Sequence, residues 1–134
     1  MKADSLQHVG IAVNSIEEAL KLYVDFLGFE ASEIKEVPDR NLKVAFIPAG
    51  DTEIELLEPT SDTGAIAKFI AKHGPGIHHI AFTVENIEAA LAAAKEAGLQ
   101  VIDETPRLGA HGVKVAFLHP KKFGGVLVEF CERK

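Results

Sequence analysis

The sequence predicts an α+β fold of two tandem βαβββ modules, whose four-stranded sheets curve around a shared cleft. Three observations support this. One segment of the sequence is repeated. In each copy the spacing of apolar residues changes from that of a strand to that of a helix and back, and each copy carries a histidine and a glutamate at matching places. The pattern occupies residues 1–134 as one domain, with modules at 1–58 and 77–134 and a connecting segment at 59–76.

The repeat becomes visible when His8 is aligned with His79, an offset of 71 residues along the chain. At this offset LQHVGIAV corresponds to IHHIAFTV, and the run KVAF recurs unchanged, at Lys43–Phe46 and again at Lys114–Phe117. A four-residue identity in the same register as the first match is improbable by chance. The chain is therefore interpreted as a duplicated module.

Within each module the spacing of apolar residues changes in a regular way. Residues 6–13 alternate, which predicts a strand with small residues on one face. A helix follows, because Ser15 and Glu18 form a capping box before an amphipathic stretch. Gly28 and, in the second copy, Gly98 are placed to end the two helices in the left-handed conformation.

Three further strands are predicted after each helix. They cover Phe29–Val37, Leu42–Pro48 and Thr52–Glu58 in the first copy, and Leu99–Thr105, Val113–His119 and Gly125–Glu132 in the second. The connecting segment is predicted to hold a short helix with Ile66, Phe69 and Ile70 on its apolar side, ending at Gly74-Pro75.

Composition excludes several classes of function. The chain is 47% hydrophobic and 25% charged, and no stretch approaches the roughly 20 apolar residues of a membrane span. A formal net charge of -6 without a basic face argues against a nucleic acid partner but leaves an anionic small substrate open. The start, MKADSLQ, lacks the apolar core of a secretory signal. The single cysteine excludes an internal disulfide and favours a cytoplasmic location.

The strands of both copies carry a histidine and a glutamate in equivalent places. His8 and His79 lie in the first strands, and Glu55 and Glu129 lie in the last strands among apolar neighbours. A single strand histidine is usually structural, but a duplicated pair is not needed for packing. A buried glutamate requires compensation of its charge, which a divalent cation supplies. Two imidazoles and two carboxylates suit Zn, Co, Mn or Fe, so the sequence predicts a metal in the shared cleft.

Other residues receive structural interpretations or stay open. His78 falls on the strand face opposite His79, His73 lies in the polar connecting helix, and Cys131 is interpreted as a small buried or edge residue. The loop Gly109–Gly112 suits either a substrate-holding role or a tight turn. The segment His119–Lys122 offers positive charge, for a phosphate of coenzyme A or for solvent.

Several motifs resemble a known family. The runs HVGIAV, GPGIHHIAFTVENI and RLGAHGVKVAFLHPKKFGGVLVE resemble the vicinal oxygen chelate (glyoxalase) superfamily and, within it, the methylmalonyl-CoA epimerase family, over the whole chain. The resemblance implies His8, Glu55, His79 and Glu129 as metal ligands, Co2+, Zn2+ or Mn2+ as the ion, an acyl-CoA substrate and a homodimer. Some members have Gln where Glu55 stands. A glutamate proposed as an acid or base in a bacterial member is replaced here by Lys43.

The implied reaction is interconversion of the (R) and (S) forms of methylmalonyl-CoA through a metal-stabilised enolate. Glu129 and Glu55 are the candidate catalytic residues, since they belong to opposite modules flanking the predicted metal. Three alternatives remain: a glyoxalase I-type isomerase, which requires a glutathione pocket; an extradiol-type dioxygenase, which requires more open coordination positions than four ligands leave; and a non-enzymatic binding protein, which needs no such ligand set.

Overall fold

The computed structural model describes residues 1–134, and the chain divides into two compact units. One unit is His8–His78, and the other combines Met1–Gln7 with His79–Lys134. Each unit has the predicted element order of strand, helix and three strands, although not every predicted strand forms where expected. The proposed boundaries at 1–58, 59–76 and 77–134 stay a prediction. None of the helices combines the length and hydropathy that a membrane crossing requires.

The unit His8–His78 holds one four-stranded arrangement and two helical segments. The elements are β1 (Ser5–Ala12, entering this unit at residue 8), α1 (Ile16–Leu20, continued as a π-helix over Lys21–Phe26), β2 (Lys35–Val37), β3 (Leu42–Ala49), β4 (Thr52–Pro59) and α2 (Ala65–His73). The strand order is β2-β3-β4-β1, in which β1 is parallel to β4 and the other pairs are antiparallel.

The other unit repeats this arrangement. Its elements are β5 (Gly76–Val84, entering at residue 79), α3 (Ile87–Glu96), β6 (Arg107–Leu108), β7 (Lys114–Leu118) and β8 (Leu127–Glu132). The strand order is β5-β8-β7-β6, again with one parallel pair, β5 with β8. The N-terminal residues join this unit, since the Asp4 N–H donates to the carbonyl of Thr83 at 2.8 Å.

Each sheet has two faces. One is covered by α1 or α3 and is called the helix side, and the opposite one is called the inner face. In the first unit α1 covers the helix side, where Ile16, Ala45, Ile47 and Leu56 are fully buried. In the second, α3 covers the equivalent side through Ile87, Ala90, Leu91 and Ala94, which pack on Ala116, Leu118, Val128 and Phe130. The inner faces therefore carry the residues of the other strand parity, including the histidines and glutamates.

Carboxylates in the last strands hold the starts of both helices. The Ile16 N–H donates to Glu58 at 2.8 Å, and the Ile87 N–H donates to Glu132 at 3.0 Å. Ser15 also accepts from the Glu18 N–H, as predicted, and Asn86 accepts from the Ala89 N–H, so both helices have a side-chain N-cap. The start of each helix is thus bonded to the strand that carries Glu55 or Glu129.

Several predicted boundaries are corrected. Leu99–Thr105 forms only an isolated bridge at Val101, and the strand predicted at Phe29–Val37 is reduced to Lys35–Val37. Side chains take over the pairing: the Phe46 N–H donates to Ser32 at 2.9 Å and the Phe117 N–H to Asp103 at 2.7 Å. The predicted left-handed helix ends at Gly28 and Gly98 are confirmed by φ angles of 84° and 82°.

Candidate functional site

The first candidate pair is His8 with Glu55, on the adjacent parallel strands β1 and β4. Gly10 lies opposite Glu55 in the register, so no side chain fills the space between the two strands at that level. The Nε2 atom of His8 is 3.5 Å from Oε1 of Glu55. The residues are 6% and 8% exposed, so both are buried polar groups.

The second pair, His79 with Glu129, repeats the first on β5 and β8. Ala81, the counterpart of Gly10, lies opposite Glu129. The Nε2 atom of His79 is 3.4 Å from Oε1 of Glu129, and the residues are 4% and 6% exposed. On the far side of each glutamate lies a phenylalanine of the repeated KVAF run, Phe46 beside Glu55 and Phe117 beside Glu129.

The spacing within each pair fits metal ligation. Separations of 3.4 and 3.5 Å exceed those of a good N–H···O hydrogen bond, about 2.7–3.2 Å. Two ligand atoms, each about 2.1 Å from one ion and at the tetrahedral angle, lie about 3.4 Å apart. Burial of a carboxylate is costly unless its charge is compensated. The donor set, geometry and burial of both pairs therefore suit a divalent cation.

Lys43 does not reach the face that carries His8 and Glu55. In the uninterrupted strand β3 it shares a face with Ala45 and Ile47, which pack on the helix side, and it lies opposite Glu58. The inner position beside it is Val44, a buried apolar residue. The resemblance suggested a catalytic glutamate near this point. The inner face therefore carries no acidic or basic side chain there.

Sequence reasoning missed two charged residues on the inner faces. Glu53 lies opposite His8 in the register of β1 and β4 and is half-buried; its counterpart in the other unit is Leu127. Arg107, on β6, places its guanidinium carbon 5.5 Å from the ring centroid of Phe117. The period of two along β4 could have revealed Glu53, whereas Arg107 lies in a segment whose predicted strand was misplaced.

The residues given structural interpretations behave accordingly. His78 is half-buried with its ring edge-on to Phe69 at 5.0 Å, and His73 is exposed beside the same ring. Cys131 is buried. Within Gly109–Gly112 the Gly112 N–H donates to the Gly109 carbonyl at 3.1 Å, as in a tight turn. Two lysines of His119–Lys122 are exposed on a short 3-10 turn.

Comparison with known proteins gives a consistent result. Residues 7–117 match the family described as Glyoxalase/Bleomycin resistance protein/Dioxygenase superfamily. Ethylmalonyl-CoA/methylmalonyl-CoA epimerase of Cereibacter sphaeroides is 46% identical over 92% of this chain and 94% of its own length. The mitochondrial methylmalonyl-CoA epimerase of Homo sapiens is 42% identical over 92% of this chain and 71% of its own length.

A solved structure agrees over nearly the full length. It is a variant of Streptomyces coelicolor methylmalonyl-CoA epimerase in complex with 2-nitronate-propionyl-CoA. The two chains are 31% identical with a TM-score of 0.89, over 98% of each. The predicted fold class is confirmed by this match and by the family.

Proposed function

Since the chain belongs to the Glyoxalase/Bleomycin resistance protein/Dioxygenase superfamily, we propose that it is a metal-dependent epimerase of methylmalonyl-CoA. It would interconvert the (R) and (S) forms by removing the proton at C2 and returning it on the opposite face. The observation that carries the proposal is the duplicated, buried pair of one imidazole and one carboxylate. The relatives named as epimerases match nearly all of this chain, so the glyoxalase I and dioxygenase alternatives are not favoured.

The proposed metal ligands are His8, Glu55, His79 and Glu129. Protein sites for such ions use three or four protein ligands, and one pair supplies only two. A metal therefore requires both pairs, which together neutralise a divalent ion. Imidazole and carboxylate donors without thiolate suit Co2+, Zn2+ or Mn2+. When bound, the ion would supply Lewis acidity toward substrate oxygens and stabilise the negative charge of the enolate.

Glu129 and Glu55 are proposed to carry the proton. Each carboxylate lies beside an imidazole and an aromatic ring, in surroundings that exclude water. A carboxylate held at this position can accept the C2 proton, and its counterpart in the other unit returns one to the opposite face when it enters the step as the protonated carboxylic acid. We assign Glu129 the larger part, and Glu55 is the second carrier.

The test is exchange of the C2 proton of methylmalonyl-CoA in D2O, followed by NMR. Protein stripped of metal with a chelator would be measured first, and the same protein again after addition of Co2+, Zn2+ or Mn2+. We expect rapid exchange that depends on metal and is abolished in His79→Ala. His78→Ala is the matched control, because this neighbour faces Phe69 instead, and it should retain exchange. Absence of exchange in protein shown to bind these metals would overturn the proposal.

A homodimer in the cytoplasm is also proposed. In support of the dimer, Leu22, Phe26 and Leu27 are 63%, 79% and 55% exposed around one π-helical turn, an arrangement that a second copy of the chain would cover. Light scattering of the wild type and Phe26→Asp tests this: a dimer that becomes a monomer is expected, and a monomeric wild type would contradict it. Cys131 is the single cysteine and forms no disulfide, which suits a reducing compartment.

A further inference from the structure

Arg107 belongs to the same face of its sheet as the second histidine pair. It lies opposite Val115 in the register of β6 and β7, and Phe117 follows two residues along on that face. The guanidinium lies over the Phe117 ring, with 5.5 Å between its central carbon and the ring centroid. The same ring is edge-on to His79, with centroids 5.5 Å apart. The guanidinium and the His79 imidazole therefore both contact the Phe117 ring.

The position of Arg107 is reinforced by Asp103. One oxygen of Asp103 accepts the Phe117 N–H at 2.7 Å, and the other is 3.8 Å from Nε of Arg107. The contact lies on the Nε side of the guanidinium, and the arginine side chain is 46% exposed. Its two terminal amino groups form the planar fork that binds carboxylates and phosphates with two hydrogen bonds.

Charge balance indicates why a cation is needed there. The four proposed ligands and a divalent ion together carry no net charge, and the chain has a formal charge of -6. The malonyl group adds a carboxylate, and removal of the C2 proton adds a second negative charge. A guanidinium that contacts the same ring as His79 can offset the first of these.

We propose that Arg107 binds the free carboxylate of the acyl group and so selects 2-carboxyacyl thioesters over simple acyl thioesters. The inference rests on the proposed epimerase function and adds the group that recognises its substrate. Coenzyme A also carries phosphates, but the long pantetheine arm separates them from the thioester. A cation that contacts the same ring as His79 is therefore assigned to the acyl end of the ligand.

The test measures binding by calorimetry for methylmalonyl-CoA and for propionyl-CoA, which lacks the carboxylate, with metal-loaded and chelated protein. For Arg107→Gln we expect the Kd of methylmalonyl-CoA to rise about ten- to a hundredfold, as for loss of a charged hydrogen bond. The Kd of propionyl-CoA should stay within about twofold, and Arg107→Lys should restore part of the loss. Lys95→Gln removes a charge from α3, on the other side of the sheet, and should change neither value.

Equal weakening of both ligands would assign Arg107 to a phosphate or to folding, and would overturn the inference, as would unchanged binding of both. Either result in a wild type that exchanges the C2 proton leaves the epimerase proposal intact. A wild type that shows neither exchange nor preference for the carboxylated ligand would overturn both. Thermal unfolding of Arg107→Gln, expected to match the wild type, separates lost recognition from lost structure.

Discussion

A small residue lies on one side of each buried carboxylate, on the neighbouring parallel strand. Gly10 and Ala81 occupy the neighbouring strand positions at the level of Glu55 and Glu129. A larger side chain there would fill the space that a ligand atom or substrate needs. The two histidines and two glutamates of the proposed site could be predicted because the repeat places them at matching positions. Arg107 has no counterpart in the repeat that would mark it, and only its contact with Phe117 in the structure identifies it.

Glu55 and Glu129 are expected to respond differently to replacement by glutamine. Glutamine keeps an oxygen ligand but cannot accept the C2 proton as a carboxylate does. We predict that Glu129→Gln lowers the C2 exchange rate by about a hundredfold or more, and Glu55→Gln by about tenfold or less. Both variants should retain one metal ion per chain, measured by elemental analysis. A larger loss in Glu55→Gln would reverse the assignment of the main proton carrier.

Gly109 is required by close packing rather than by a left-handed backbone. A Cβ atom at this position would lie 2.6 Å from Cγ1 of Val115. Gly109→Ala is predicted to lower the free energy of unfolding by about 1–3 kcal/mol through overpacking, measured by urea denaturation. In the double variant with Val115→Ala the clash is removed, so the combined loss should be smaller than the sum of the two single losses. Strict additivity would argue against the clash.

At the scale of elements, the repeat predicted the order of the strands and helices better than their lengths. The alternation of β1 and the KVAF run identified central strands correctly, because one face of each is apolar and buried. The edge segment at Leu99–Thr105 also contains apolar residues, yet Asp103 accepts the Phe117 N–H and replaces part of the strand ladder. A pattern of apolar residues cannot show which side chain will accept a backbone N–H. Edge strands predicted from the pattern are therefore too long.

The link between Glu58 and the start of α1 is predicted to stabilise the first unit. Glu58→Ala removes the acceptor of the Ile16 N–H and a negative charge at a helix N-terminus. We expect a loss of about 1–2 kcal/mol in the free energy of unfolding, measured by chemical denaturation. Glu17→Ala, an exposed change in the same first turn, is the control and should cost less. Equal losses would show that the backbone contact contributes nothing specific.

In the other unit an ion pair joins helix and sheet. Lys114 donates to Glu88 at 2.9 Å, and this hydrogen bond lowers the pKa of Glu88 below its ordinary 4.5. A carboxyl whose pKa is depressed by folding stabilises the native state above its unfolded pKa and loses that effect as pH falls through its folded pKa. The pair is exposed, so the effect is small. Glu88→Gln should therefore be slightly less stable than the wild type at neutral pH and equal to it well below pH 4.5, measured by urea midpoints.

At the scale of the whole molecule, duplication explains why the chain holds each type of proposed ligand twice. Each unit supplies one imidazole and one carboxylate from equivalent strands, and the register around them is the same in both. A single module carries half of the proposed ligand set. The sequence could predict the symmetry from the offset of 71 residues, but the departures from symmetry, Glu53 against Leu127 and Arg107 in one unit, required the register of the strands.

The most direct test of the account is the number of divalent ions bound per chain. Calorimetric titration of chelated protein with Co2+ or Zn2+ should give one ion per chain, and His8→Ala or His79→Ala should each abolish tight binding, with His78→Ala unchanged. One ion lost on removal of either histidine means that the two pairs act as one ligand set. Two ions per chain, or retention of half the binding in either variant, would mean that each pair works alone and would contradict the account.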